Sequence, residues 1–319
     1  MRLPSVYLLA LAAACAAAPV ATEAQSGDLP PAVSVEWLAA SLAQPGLIVL
    51  QLGDDSSFTA AHIPGARRLD YQGVLSAPMT EGGLRLELPS PERLQADLRA
   101  LGLRNDSRVV IVFDDARRFH MAGRAFFTLE WAGLRGRVAV LDGGLPAWQA
   151  ANQPLRSGAP ATATGPDASG RRPAATAPGD IEVRPVQGLV ATRDSVLAAA
   201  QGRGRRLVDA RTPEFYGDTR ANGMPRGGHI ASAVNLPFNS VVDDRGLLKP
   251  RAELERMLGV AGIGANEALT TYCHIGLQAS WAYFALRTLG RDVTLYDGSF
   301  DEWSRDANLP VEGQRSSRP

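Results

Sequence analysis

Short β-branched apolar runs alternate with stretches of helical spacing along most of the chain. In the N-terminal half the runs are Leu47-Ile-Val-Leu-Gln51, Val109-Val-Ile-Val-Phe-Asp114 and Val138-Ala-Val-Leu-Asp142. In the C-terminal half they are Arg206-Leu-Val-Asp209, Leu269-Thr-Thr-Tyr-Cys273 and Val293-Thr-Leu-Tyr-Asp297. Each reads as a strand buried on both faces. Residues 90–101 place Leu94, Leu98 and Leu101 near helical spacing, and residues 279–289 form a second helical segment with Gly290 as its stop. Strands that alternate with helices predict an α/β fold, a mostly parallel sheet with helices on both faces. Ligands of such sheets sit at the carboxyl ends of the strands.

The pattern occurs twice. His62-Ile63-Pro64-Gly65-Ala66 is echoed by His229-Ile230-Ala231-Ser232-Ala233. Asp142 and Trp148 are echoed by Asp297 and Trp303, both at an offset of 155 residues. Between the copies, residues 152–180 are rich in Ala, Pro, Gly, Thr and Ser and hold almost no large apolar side chain, so they read as a linker. The expected organisation is one domain over residues 33–151 and another over 181–314. The paired tryptophans and histidines, present in both halves, read as structural.

The ends and the charge narrow the function. Residues 1–24 combine a basic start, an alanine-rich apolar run too short to span a membrane, and small residues at Thr22-Glu23-Ala24. They read as a signal peptide, which predicts a periplasmic or secreted protein. Cys15 falls in the removed segment; the alternative is lipid anchoring at Cys15. With 33 basic and 33 acidic side chains the chain has no basic block to suggest nucleic acid or an anionic membrane surface.

One thiol then remains in an oxidising compartment, with no partner for an internal disulfide. Cys273 ends an apolar run and precedes a glycine-containing turn into a helix. A helix start points backbone N–H groups and a dipole at such a position, which would favour the reactive thiolate. The other reading is a buried cysteine acting as a small hydrophobe.

Four segments together resemble the rhodanese family in its tandem, exported bacterial form. They are Asp209-Ala-Arg-Thr-Pro-Glu-Phe215, Arg226-Gly-Gly-His-Ile230 with Ala233-Val-Asn-Leu-Pro237, the loop after Cys273, and Tyr296-Asp-Gly-Ser-Phe-Asp-Glu-Trp303. The resemblance implies two rhodanese-like domains and a sulfurtransferase. Cys273 would take sulfane sulfur from thiosulfate as a persulfide and pass it to cyanide or a thiol. Backbone N–H groups of residues 274–279 would cradle the charge, with no metal or organic cofactor. The family pattern places Arg226 on the anionic donor and Arg211 either there or in a salt bridge to the loop. Arg220 cannot be aligned firmly. The loop His274-Ile275-Gly276-Leu277-Gln278 would line the donor pocket, with His274 either a part-charged anion contact or a solvent-facing residue.

That loop has neither the cations of animal thiosulfate enzymes nor the Gly-Ser-Gly of mercaptopyruvate enzymes. In the N-terminal half, Asp114 stands in the place of Cys273, followed by Asp115, Arg117 and Arg118. That half is expected to be inactive, since a carboxylate cannot carry sulfur. A single chain of this kind is expected to be a monomer. The alternatives are a 3-mercaptopyruvate enzyme and a non-catalytic binder of a sulfur compound or partner. Phosphatase chemistry needs an arginine six residues after the cysteine, where Ala279 stands. A dithiol redox role lacks its second cysteine.

Overall fold

The structure is a computed structural model that describes residues 28–158, 177–217 and 223–313. The signal-peptide reading, Cys15, Arg220 and the middle of the expected linker lie outside the described residues.

The N-terminal half contains β1 (Ala32–Val33), α1 (Val35–Ser41), β2 (Leu47–Leu52), α2 (Asp55–Ala60), β3 (Arg67–Leu69), α3 (Tyr71–Leu75), α4 (Pro91–Ala100), β4 (Arg108–Val112), α5 (Phe119–Leu129), β5 (Val138–Leu141) and α6 (Gly144–Ala150). Its five strands lie in the order β1-β5-β4-β2-β3, every pair parallel. The C-terminal half contains α7 (Arg193–Ala200), β6 (Arg206–Asp209), α8 (Pro213–Gly217), β7 (His229–Ile230), β8 (Val234–Asn235), α9 (Arg251–Val260), β9 (Leu269–Tyr272), α10 (Leu277–Thr288), β10 (Val293–Leu295), α11 (Ser299–Arg305) and β11 (Val311–Glu312). Here β10-β9-β6-β8 form a parallel sheet, and β7 pairs antiparallel with β11. A parallel bridge from Val190 to Leu295 fills the place that β1 holds in the first half.

The helix expected over residues 90–101 is α4. Ser90 caps it by accepting the Arg93 N–H, Pro91 opens it, and Leu94 and Leu98 are fully buried. The helix expected from residue 279 begins two residues earlier, at Leu277, because Gly276 in the left-handed region (φ +79°) already turns the chain.

The repeated residues carry repeated structure. The indoles of Trp148 and Trp303 are buried, and each donates to a proline carbonyl, of Pro154 at 2.9 Å and Pro310 at 3.0 Å. The imidazole of His62 bonds the Phe58 carbonyl and stacks on that ring; His229 does the same with Tyr216. These are structural roles, as expected.

The ends of the expected linker are held by the N-terminal half. Arg156 exchanges backbone bonds with His62 at 2.8 and 2.9 Å, and Gly179 donates to the Arg99 carbonyl at 2.8 Å.

Two outer cores lie under the far faces of the sheets, one around Phe58, Val110 and Trp148 and one around Ile230, Phe300 and Trp303. The largest core belongs to neither half alone. It joins Phe113, Phe119, Phe126 and Phe127 to Cys273, Trp281, Tyr283 and Phe284. Helices α5 and α10, at corresponding places in the repeat, cross at its centre. The interface also holds a buried charged cluster in which Glu130 accepts from Tyr283 at 2.5 Å and from Arg287 at 3.0 Å.

Candidate active site

Cys273 follows the last residue of β9, at the carboxyl end of the C-terminal sheet, and is fully buried. The left-handed Gly276 caps α10 without any side-chain acceptor, so the first N–H groups of the helix lack an internal partner. The cysteine sulfur lies close to them: the N–H groups of Ile275, just before the helix, and of Gln278 and Ala279 in its first turn act to lower the Cys273 pKa. Behind the loop, the Cys273 N–H donates to the Ser299 hydroxyl at 3.2 Å, its carbonyl accepts from Phe300 at 3.0 Å, and the His274 carbonyl accepts from Asp301 at 2.9 Å. The start of α11 thus fixes the loop from one side.

The electrostatics correct two expectations. Burial pushes the Cys273 thiol above its ordinary pKa; the N–H bonds from Ala279, Ile275 and Gln278 oppose this without overcoming it. The pocket therefore holds a thiol that must be ionised by pH or substrate, not a ready thiolate. His274 is buried rather than solvent-facing, with its ring edge on Phe215 at 4.8 Å. Burial, then the Arg211 charge, pushes its pKa down to about 4, so it is neutral near pH 7 and adds no charge for an anion.

Arg211 takes the salt-bridge role. Its guanidinium is buried, bonded to Asp209 at 2.5 Å and to the Gly228 carbonyl at 2.8 Å, and lies over the Phe300 ring at 4.3 Å. It is a fixed charge beneath the loop, near enough to Cys273 to interact electrostatically with it.

The structure gives Arg226 a different task from donor binding. Its guanidinium donates to the carbonyls of Trp303 at 2.9 Å, Ser304 at 3.1 Å, Asp306 at 2.6 Å and Leu309 at 2.9 Å. The last carbonyls of α11 have no partners within the helix, and a cation is favoured at that end. Ile275, Leu277 and Gln278 are half-buried around the sulfur, and the Gln278 Oε1 is buried without a partner.

Side chains of the N-terminal half reach this site. Arg85 donates to Asp301 at 3.3 Å, is 42% exposed, and helps lower the His274 pKa. Tyr71 is near enough to both Arg124 and Cys273 to interact electrostatically with each, and its hydroxyl is buried and unpartnered. Burial raises its pKa to about 12. Glu87 lies by Asp297, and burial followed by the Asp297 charge raises its pKa to about 7. Nothing in the sequence marked these residues, which are far from Cys273 along the chain.

Glu87 gives a stability prediction. A carboxyl whose folded pKa lies above its unfolded value binds its proton more tightly when folded. Its contribution is present below about pH 4.5 and is lost as pH rises through about 7. Glu87→Gln is therefore expected to raise the melting temperature at pH 8 and leave it nearly unchanged at pH 5. Equal shifts at both pH values would contradict the buried, protonated state.

The register corrects the counterpart of Cys273. Asp209 faces Tyr272 across the second sheet, and Gln51 faces Val112 across the first. The Cys273 carbonyl accepts from Phe300, and the Phe113 carbonyl accepts from Leu145 at 2.8 Å. The residue in the place of Cys273 is therefore Phe113, not Asp114. Asp114 lies one residue further on and pairs with Arg118 at 3.5 Å, while Asp115 pairs with Arg117 at 2.7 Å. The Arg117 bonds pull the Asp115 pKa down to about 2. A cleft of about 470 Å³, lined by Asp54, Arg68, Asp70, Tyr71 and Arg118 among others, opens at this end of the first sheet.

Relatives agree with this architecture. A probable 3-mercaptopyruvate sulfurtransferase of Pseudomonas aeruginosa is 35% identical over 291 residues, covering 88% of this chain and 96% of the relative. A putative thiosulfate sulfurtransferase of Mycobacterium tuberculosis is 33% identical, covering 92% of this chain and 95% of its own length. The crystal structure of an Escherichia coli 3-mercaptopyruvate sulfurtransferase superposes with a TM-score of 0.71 at 25% identity, covering 85% of this chain and 99% of that one. The rhodanese-like domain pattern matches residues 34–151 and again 192–306, the two halves that the sheets define. With a repeated fold, a cysteine at one strand end and relatives of nearly equal length, the chain belongs to the rhodanese-like family as a tandem of two domains.

Proposed function

We propose that the protein is a sulfurtransferase that moves sulfane sulfur from thiosulfate to cyanide or a thiol through a persulfide on Cys273. The observation that carries this reading is the Cys273 sulfur buried where β9 turns into α10, beside the backbone N–H groups of Ile275, Gln278 and Ala279, which act to lower its pKa. In the first half-reaction the Cys273 thiolate attacks the outer sulfur of thiosulfate. A new S–S bond forms, the S–S bond of the donor breaks, and sulfite leaves with the electron pair. The persulfide then carries the negative charge, and fixed N–H dipoles stabilise it without a proton transfer. In the second half-reaction cyanide attacks the outer sulfur, and thiocyanate leaves behind a Cys273 thiolate.

The leaving group distinguishes the donors. Sulfite is stable near neutral pH as it leaves, whereas the carbanion or enolate from 3-mercaptopyruvate must be protonated. The only titratable side chain in the five residues after Cys273 is His274, which is neutral and packed on Phe215. That favours thiosulfate, with Arg85 supplying part-exposed positive charge beside the loop. The 3-mercaptopyruvate reading is supported by the names of the Pseudomonas and Escherichia relatives.

Phe113 offers no sulfur carrier in the first half, so we assign turnover to the second. We further propose an exported, monomeric enzyme, the exported location resting on the signal-like residues 1–24.

Intact mass spectrometry after incubation with each donor tests the reading. Thiosulfate should add one sulfur atom, which cyanide removes, and its kcat/KM should exceed that of 3-mercaptopyruvate by at least about tenfold. A higher value with 3-mercaptopyruvate would select the second reading. No adduct from either donor would reject both.

A further inference from the structure

The first half does more than cover the site. We propose that Arg124, on α5 of the N-terminal domain, is a positioning residue for the Cys273 loop, holding Asp297 against Gly276 so that the first N–H groups of α10 stay aimed at the sulfur. The proposal rests on the sulfurtransferase reading for its turnover readout alone.

The two domains meet through a duplicated device. Asp142 lies just past β5 and accepts the Leu248 N–H of the other half at 2.8 Å; Asp297 lies just past β10 and accepts the Leu88 N–H of the other half at 2.8 Å. Asp297 is in addition paired with a buried cation. The Arg124 guanidinium donates to the Asp297 carboxylate and to the Leu86 carbonyl, and its side chain is fully buried.

The repeat shows how unequal the two helices are. Gly133 and Gly290 follow the two helices, and Glu130 and Arg287 pair across them, each at an offset of 157 residues. The same offset sends Arg124 to Trp281. Trp281, on the helix of the half that carries Cys273, is apolar and stands edge-on to Phe113 of the other half. At the mirrored places, then, a buried arginine meets the half that carries Cys273 and an apolar ring meets the other half.

Geometry links Arg124 to the sulfur through Gly276. A Cβ on Gly276 would lie 3.0 Å from the Asp297 carbonyl and carboxylate oxygens and 3.2 Å from Arg124 Nη1. Gly276 is the turn that aims the N–H groups of Gln278 and Ala279, so a shift of the Arg124–Asp297 pair moves the turn. Interface stability alone does not explain the residue. A buried ion pair is not, in general, more stabilising than an apolar one, and the Arg124 Nε is buried with no hydrogen-bond partner. Around the guanidinium lie the Asp297 and Glu87 carboxyls and the Tyr71 phenol; Asp301 and Glu302 lie beyond, near Glu87.

The test compares wild type with Arg124→Gln, Arg124→Gln/Asp297→Asn and Asp142→Asn. The double variant leaves neither member of the Arg124–Asp297 pair as an unpaired buried charge. Asp142→Asn weakens the mirrored contact. Iodoacetamide alkylation of Cys273 is followed from pH 6 to 10, beside kcat and KM for thiosulfate. In both Arg124 variants the alkylation midpoint should move up by about one pH unit, and kcat should fall about tenfold with KM changed less than about twofold. Asp142→Asn should match wild type in both profiles.

The proposal is overturned if a folded Arg124 variant has the wild-type alkylation profile, or if Asp142→Asn shifts it equally. It is also overturned if neither Arg124 variant folds while Asp142→Asn does, since Arg124 would then be a folding residue. The alkylation profile needs no sulfur donor. Failure of the sulfurtransferase reading would therefore appear separately, as a wild-type protein that gains no sulfur.

Discussion

Cys273→Ser is expected to fold normally and to lower sulfur transfer at least about a thousandfold, to background. The replacement is slightly smaller than a side chain that is itself fully buried, and a hydroxyl accepts the same N–H bonds. What it loses is the nucleophile, because a serine hydroxyl does not ionise in the accessible pH range. In wild type the buried thiol lies above its ordinary pKa, so the thiolate fraction is small at neutral pH. Below that pKa each unit of pH changes the fraction about tenfold. Persulfide formation in a single turnover with thiosulfate should therefore climb steeply from pH 6 to 8. The neutral His274 should add no step over that range, its pKa being about 4. A flat profile would show that the N–H groups outweigh burial. Turnover persisting in the serine variant would remove Cys273 from the chemistry.

Gly123→Ala should produce the largest loss of stability of any single methyl addition at the domain interface. A Cβ there would lie 2.6 Å from the Cα and the nitrogen of Trp281 and 2.9 Å from the Ser280 carbonyl carbon. These are backbone atoms of α10, so no flexible side chain can move aside. The two helices must separate, and the shared core of Phe119, Phe126, Trp281 and Phe284 opens with them. Overpacking of this kind costs about 1–3 kcal/mol. For a chain of this size that lowers the melting temperature by about 2–5 °C. Because one core serves both halves, a single unfolding transition should shift as a whole. An unchanged melting temperature would mean that the helices do not cross as closely as described.

Much of the architecture was legible in the periodicity. The strand at residues 269–273 and the helix at residues 90–101 fall within a residue or two of β9 and α4, because burial on both faces and capping by Ser90 are local properties. The repeat was legible too, through Asp142 and Asp297 and through Trp148 and Trp303. Its exact register was not. The sequence sets Asp114 opposite Cys273, and the pairing of β2 with β4 moves the match to Phe113.

Motif position also misled about Arg226. The sequence places an arginine just before Gly-His-Ile; the chain ends of α11 claim its guanidinium. For Arg211 both a donor contact and a salt bridge were open, and burial beside Asp209 decides for the salt bridge.

The sequence by itself determined the two α/β halves and the place of one cysteine where a strand turns into a helix, because strand period, glycine turns and helix starts are written over a few neighbouring residues. The tertiary structure decided the state of that cysteine and who supports it. Burial raises the thiol and silences His274, and Arg124 meets Asp297 across 173 residues of chain while Arg85 meets Asp301 across 216. Desolvation and charge pairing depend on what the folded chain brings together, and no local pattern records that.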